Sequence, residues 1–347
     1  MTQRGTGVSI MKEVYPGIFQ ITVRGFLARL RPEVNVFVIT GPDGMVFDAA
    51  YGTRGVGKFL VSEIEKIEQL CRDRGEECRI TRVMTSHGHG DHYSGMKYLR
   101  KKLDLKILVS EKTARSIGSM KKYRESFERH DPGQWYSGHG FFYKVACWWG
   151  ERFVRSFFHL LYGHNSISDP DAIFTGNTIL SINGKTWQAI PAPGHSFDHI
   201  HLYNRDEGLL FAGDNVLRGV PPWLGPPESD LKEYLSTLNS ILDLPGLEML
   251  FCGHGSPVSG PYERVRRLLR YRLDRIEDLY DIISGKGSEG VTFNEIADFV
   301  YMNESGFKKN LGRGWIAVTL RHLEREGRIA CKGQGRKVRL YAAGTKI

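Results

Sequence analysis

Ser86-His87-Gly88-His89-Gly90-Asp91-His92 is the stretch on which the reading of this chain turns. Three imidazoles and a carboxylate follow a strand expected over Arg79–Thr85. Imidazole and carboxylate together suit zinc, manganese or iron. The interleaved glycines let a loop fold tightly enough for neighbouring side chains to converge. Three further candidates recur at equivalent places: His195 in Ala192-Pro193-Gly194-His195, Asp214 in Phe211-Ala212-Gly213-Asp214, and His254 in Phe251-Cys252-Gly253-His254-Gly255. Each follows an expected strand, and each is preceded by a glycine that leaves backbone room beside an ion. A lone histidine is ordinarily a surface or core residue. That account fails for five histidines and two aspartates all set in loops after strands, where layered sheets place their ligands.

The surrounding pattern supplies those strands. Phe19–Val23 alternates, Val34–Thr40 is a β-branched apolar run closed by the turn Gly41-Pro42-Asp43-Gly44, and Met45–Phe47 delivers Asp48. Gly57–Gly75 carries Phe59, Leu60, Ile64, Ile67 and Leu70 at helical spacing. Ser94–Lys102 reads as a helix and Leu105–Ser110 as a strand. Strands return at Thr178–Ile182, Thr186–Ala192, Ile200–Tyr203, Leu209–Ala212 and Met249–Cys252. Short strands with helices between them imply a layered α/β domain. Residues 112–170 break the rhythm and read as a helical insertion, basic over Ala114–Arg129 and aromatic over Phe141–Tyr162.

From about Tyr262 the pattern changes. Helices are expected at Val265–Ile283, Thr292–Val300 and Gly314–Glu326, with Thr292 and Glu295 as a capping box and Gly327 as a stop. A basic hairpin follows. Helix, helix, helix, hairpin is the order of a winged helix-turn-helix module, so the division is a catalytic domain over 1–262 and a winged-helix-like domain over 263–347.

His87-x-His89-x-Asp91-His92, with His195, Asp214 and His254, resembles the metallo-β-lactamase superfamily in its glyoxalase II-like binuclear form. The resemblance covers roughly residues 12–262 apart from the insertion. It implies an αββα sandwich with the site at one edge. It implies that His87, His89 and His195 hold one divalent metal, that Asp91, His92 and His254 hold another, and that Asp214 bridges them. Zinc is the default, with iron or manganese as alternatives. It also implies that Asp48 supports a ligand from behind. The chemistry that follows is hydrolysis by a hydroxide held between two cations, oriented by Asp91, with no serine or cysteine nucleophile.

Composition bounds the partners. The 347 residues carry a net charge of +9. Residues 263–347 hold 18 Lys and Arg against 11 Asp and Glu, a net of +7. That excess is a solvated basic surface or a contact for nucleic acid. Arg313, Arg321, Arg325, Arg328, Lys332, Arg336 and Lys337 are the candidates for phosphate contacts. The layout of lactamase-like core and small tail resembles the subgroup that includes the animal β-lactamase-like protein 2 endoribonucleases. Against that stands the aromatic insertion, with Trp148, Phe153, Phe157 and Leu161 among its residues, which reads as a core or homodimer helix, a wall over an apolar substrate, or a contact with a membrane surface. The substrate reading is therefore a small thioester or ester with an apolar acyl group, and the alternative is single-stranded RNA. Five cysteines without C-x-x-C spacing, no secretory pattern and no spanning run of apolar residues point to a cytoplasmic protein. Tyr51 and Tyr203 are tyrosines whose place relative to the site the sequence leaves open.

Overall fold

The structure, a computed structural model, describes residues 10–24, 31–128, 159–302, 306–333 and 338–345, with backbone alone for Ile10 and for 306–311. Trp148, Phe153 and Phe157, on which the reading of the insertion rests, lie outside the described residues.

Two sheets face each other. The first runs in chain order: β1 (Ile10–Tyr15), β2 (Ile18–Val23), β3 (Val34–Ile39), β4 (Gly44–Phe47), β5 (Ile80–Met84), β6 (Lys106–Ser110) and β7 (Ala172–Phe174). Its first four strands pair antiparallel and the rest parallel. The second has the order β13-β12-β11-β10-β9-β8. These are β8 (Thr178–Ile182), β9 (Lys185–Pro191), β10 (Ile200–Asn204), β11 (Leu209–Gly213), β12 (Met249–Cys252) and β13 (Val258–Ser259). All six residues of β3 are buried, as a strand covered on both faces requires. Phe37 and Phe47 of the first sheet meet Trp187, Phe211 and Phe251 of the second. Phe211 and Phe251 stack at 4.6 Å, and Phe37 meets Phe211 edge-on at 5.2 Å.

Helices cover both outer faces. On the first sheet, α1 (Arg54–Asp73) buries Leu60, Ile64, Ile67 and Cys71, a single stripe at helical spacing. The short α2 (Gly90–Tyr93) and α3 (Met96–Leu103) follow, and then α4 (Glu111–Ile117) and α5 (Met120–Phe127) open the insertion. On the second sheet, α6 (Leu231–Leu242) is N-capped by Asp230, whose side chain accepts from the Glu233 N–H. The result is an αββα sandwich of the metallo-β-lactamase type. The motif differs from its expected form in one respect. Its second half is helical, because His89 is extended and caps α2, so Asp91 and His92 sit on a helical turn instead of in a loop.

The tail has the expected element order. Its parts are α7 (Pro261–Ser284), α8 (Phe293–Val300), α9 (Gly306–Arg325), β14 (Ile329–Lys332) and β15 (Arg339–Ala342). Thr292 and Glu295 form the capping box at α8. Val291 adds a bridge to Leu340 beside the hairpin. Apolar packing does not stop at residue 262: one continuous cluster joins Leu238 and Leu250 to Leu268, Ile276, Ile296, Leu320 and Leu340. Among the described residues no helix is long and apolar enough to cross a membrane.

Phe211 is fully buried and touches both sheets. Phe211→Ala is expected to cost about 3–5 kcal/mol of stability, read as a lower urea midpoint. A change under about 1 kcal/mol would mean that the sheets are not held together at this residue.

Candidate metal centre

All seven predicted ligands converge at one end of the sandwich. His87, His89 and His195 form one group, His87, His92 and Asp214 a second, and Asp91, His92 and His254 a third; within each group the donor atoms lie within 4.8 Å of one another. Asp214 is the hinge between them. Its Oδ2 lies 3.1 Å from His254 Nε2, 3.5 Å from His92 Nε2 and 3.8 Å from His195 Nε2. Asp91 Oδ2 lies 3.8 Å from His254 Nε2.

The outward nitrogen of each histidine is occupied, and this fixes which nitrogen faces inward. His92 Nδ1 donates to Asp48 Oδ2 at 2.9 Å, and His195 Nδ1 donates to the Trp223 carbonyl at 2.8 Å. His254 Nδ1 donates to the Glu33 carbonyl. Ser86 Oγ lies 3.1 Å from Asp48 Oδ2 and 2.9 Å from His87 Nδ1. The serine proton goes to the carboxylate, which can only accept, so His87 Nδ1 donates to the serine. Four histidines thus turn Nε2 toward the centre. His89 is reversed: its Nε2 lies 3.6 Å from Glu228 Oε1, and its Nδ1 faces His195 Nε2 at 3.2 Å. His87 Nε2, His92 Nε2 and Asp214 Oδ1 are buried with no hydrogen-bond partner among the described residues. Buried acceptors are seldom left that way, and a cation would satisfy all three.

Backbone shape makes the convergence possible. A Cβ on Gly253 would lie 2.2 Å from Asp214 Oδ1 and 2.8 Å from His92 Cε1, so glycine there leaves the ligands their space. Gly194 serves differently: its φ is +135°, and a Cβ would strike the Tyr234 backbone. Asp48 holds a φ of +63°, a costly conformation for a non-glycine residue, at the position where it grips Ser86 N at 2.7 Å as well as His92.

Sequence reasoning missed four supports. Asn35 is fully buried, and its side-chain amide donates to the Cys252 and Gly255 carbonyls at 2.9 and 2.6 Å, while its own N–H donates to Gly253 O at 2.8 Å. It pins the His254 loop to the first sheet. Ser86 orients His87. Trp223 and Glu228 lie in the loop over residues 215–230, which the tail braces. Arg264 of α7 donates to the carbonyls of Leu217 and Val220 at 2.6 and 2.9 Å, and buried Arg272 donates to that of Pro222. A polar residue inside an apolar strand run was the available signal for Asn35. Nothing in the local pattern marked Glu228. Neither tyrosine has an idle hydroxyl proton: Tyr51 donates to Pro32 O at 2.7 Å and Tyr203 to Pro245 O at 2.5 Å.

Charge in the site is tightly coupled. Burial alone would raise the Asp214 carboxyl, but His254 and His92 hold it well below the usual range. Burial would lower His254, yet Asp214 and Asp91 outweigh it and push that imidazole up to about 9. His92 is raised in the same way by Asp214, Asp48 and Asp91. Burial, reinforced by His89, drops His195 to about 3.

Comparison with known proteins agrees with this architecture. Residues 31–254 match the family model of the metallo-beta-lactamase superfamily, and the chain belongs to that superfamily. It is 26% identical over 149 residues to a beta-lactamase-like protein 2 homolog of Caenorhabditis elegans, covering 43% of this chain and 48% of that protein. It is 24% identical over 235 residues to the acyl-coenzyme A thioesterase MBLAC2 of Bos taurus, covering 67% of this chain and 75% of that one. The chain spans less than half the length of several curated relatives it matches, the nematode protein among them. The crystal structure of a beta-lactamase domain protein from Burkholderia ambifaria superposes with a TM-score of 0.71 at 16% identity, over 96% of this chain and 93% of that one.

Two outcomes follow. In chelator-treated protein the His254–Asp214 attraction is fully present below the unfolded histidine value near 6.5 and is lost as pH rises through about 9. Stability of that form should therefore fall across this window while zinc affinity rises, because metal must displace the proton. Zinc affinity that is flat from pH 6 to 9 would contradict this assignment. Separately, Asn35→Ala strands two carbonyls and should cost about 1–3 kcal/mol, read by urea denaturation, while loosening His254. Unchanged stability would remove Asn35 from the scaffold.

Proposed function

We propose that the seven side chains hold two divalent metal ions and that the chain hydrolyses a small thioester or ester with an apolar acyl group. The observation that carries this reading is the set of buried atoms without a hydrogen-bond partner among the described residues, His87 Nε2, His92 Nε2 and Asp214 Oδ1, with both imidazoles fixed by a hydrogen bond at Nδ1. When bound, divalent cations here supply a water that ionises near neutral pH and a Lewis-acid contact for the substrate carbonyl oxygen. Zinc suits the donor set best, with iron and manganese as alternatives. His87, His89 and His195 would hold one ion and Asp91, His92 and His254 the other, with Asp214 available to both. Asp48 fixes the His92 tautomer. Asp91 would orient the attacking water as well as hold the ion.

The acyl side is supported by Phe127 at the described start of the insertion. Its ring lies 5.5 Å from His89 and 5.5 Å from Phe197, with Tyr123 at 4.9 Å behind it. An apolar wall therefore borders one flank of the centre. The name of the bovine relative, a thioesterase, favours the same class. For residues 263–347 we propose a winged-helix module appended to a catalytic unit over 1–262, serving to brace the loop that carries Trp223 and Glu228. An endoribonuclease would draw on the tail's cations. Arg325 is paired with Asp230 and Arg328 with Glu277, so part of that charge is met inside the fold; Arg336 and Lys337 lie outside the described residues.

Asp91→Ala and His89→Ala should each lower turnover of an acyl thioester by about 100-fold or more, with thermal unfolding shifted only slightly. Full turnover in either variant would refute the assignment.

A further inference from the structure

The two flanks of the centre differ in character. Beyond His89 stands the aromatic wall. Beyond His254 opens a cavity of about 420 Å³ between the edges of the two sheets. Lys12 of β1, Gln20 and Thr22 of β2, Arg24 just after that strand, Glu33 and Arg218 line it. Residues 20 and 22 share one strand face by period-two alternation, and Lys12 stands directly across from Gln20 in the register. The cavity and the metal centre share a wall. Glu33 accepts from His254 through its carbonyl, and Gly255, the residue after His254, also lines the cavity.

The charge balance of this lining is positive. Three cations face one carboxylate, and Glu33 is taken by Arg24 at 3.1 Å. Lys12 and Arg218 pair with no carboxylate among the described residues; Arg218 only approaches the Pro257 carbonyl, at 3.5 Å. Ser256 and Ser259 add hydroxyl donors to the same lining. Two exposed cations with hydroxyl neighbours in a concave, half-open site are suited to phosphate oxygens.

We propose that this cavity binds the phosphate-bearing thiol carrier of the substrate, a phosphopantetheine-type group, so that the acyl chain lies toward Phe127 and the anionic carrier toward Lys12 and Arg218. The inference rests on the thioester reading above and adds to it the polarity of the bound substrate. A molecule with one apolar end and one phosphorylated end matches both flanks. A nucleic acid strand, anionic throughout, matches only one.

The test uses full-length, metal-loaded protein and the double variant Lys12→Ala/Arg218→Ala, whose two positions are exposed and lie outside the ligand set. Binding of coenzyme A and of a single-stranded RNA oligonucleotide is measured by calorimetry. Turnover is measured with an octanoyl thioester of coenzyme A and with the octanoyl thioester of uncharged N-acetylcysteamine. The variant should bind coenzyme A about ten-fold more weakly and show a similar rise in KM for its thioester, with kcat/KM for the uncharged thioester unchanged. The effect should shrink with added salt. Equal coenzyme A affinity in the two proteins, or no binding to the parent, overturns the proposal. So does RNA binding that is tighter than coenzyme A binding and is lost in the variant. Weakened coenzyme A binding with no turnover of either thioester by the parent would support the anion cavity and reject the thioester reading, so the two failures are distinct.

Discussion

The buried carboxylate of Asp214 is the constraint around which the rest of the molecule is arranged. Removing a carboxylate from water is costly unless it is paired. Here three imidazoles face one of its oxygens, and the other oxygen has no hydrogen-bond partner among the described residues. Its ionised form raises His92 and His254, so both imidazoles hold their protons more tightly. On the proposed two-metal reading, exchange of those protons for cations is the central event of the site.

Such convergence needs a rigid frame, because each imidazole must be aimed. The two sheets provide it through the Phe37, Phe211 and Phe251 contact. Asp48 and Ser86 aim ligands from the first sheet, and Asn35 ties the His254 loop across from the second. The remaining aim comes from the loop over 215–230, which α7 grips through Arg264 and Arg272. The tail therefore touches the site indirectly: Arg272 holds the Pro222 carbonyl, one residue before the Trp223 carbonyl that orients His195.

Much of this was legible in the sequence. The His87 to His92 motif, the strand-glycine-ligand pattern at His195, Asp214 and His254, and the capping box at Thr292 each rest on local rules, and the structure shows the clustering and the cap. What stayed hidden depends on distant partners. Strand β1 carries Lys12 and Glu13 among its apolar residues, and its pairing with β2 has an irregularity near Glu13, which blurs alternation. Helix α6 is short and follows a proline-rich loop. The helical turn at Asp91 and His92 is set by the extended backbone of His89, which two neighbouring glycines gave no reason to expect. Glu228 comes near His89 from the loop over 215–230, a long-range approach that no local pattern marks. Composition left the basic tail open between a solvated surface and a contact for nucleic acid, and Arg325 and Arg328 find carboxylates that only the fold brings near.

The most direct measurement is metal stoichiometry by equilibrium dialysis of purified protein against zinc, compared with an Asp214→Ala variant. The account predicts two ions per parent chain and at most one in the variant. A parent chain that binds one ion or none, or a variant that still holds two with parental affinity, would contradict it.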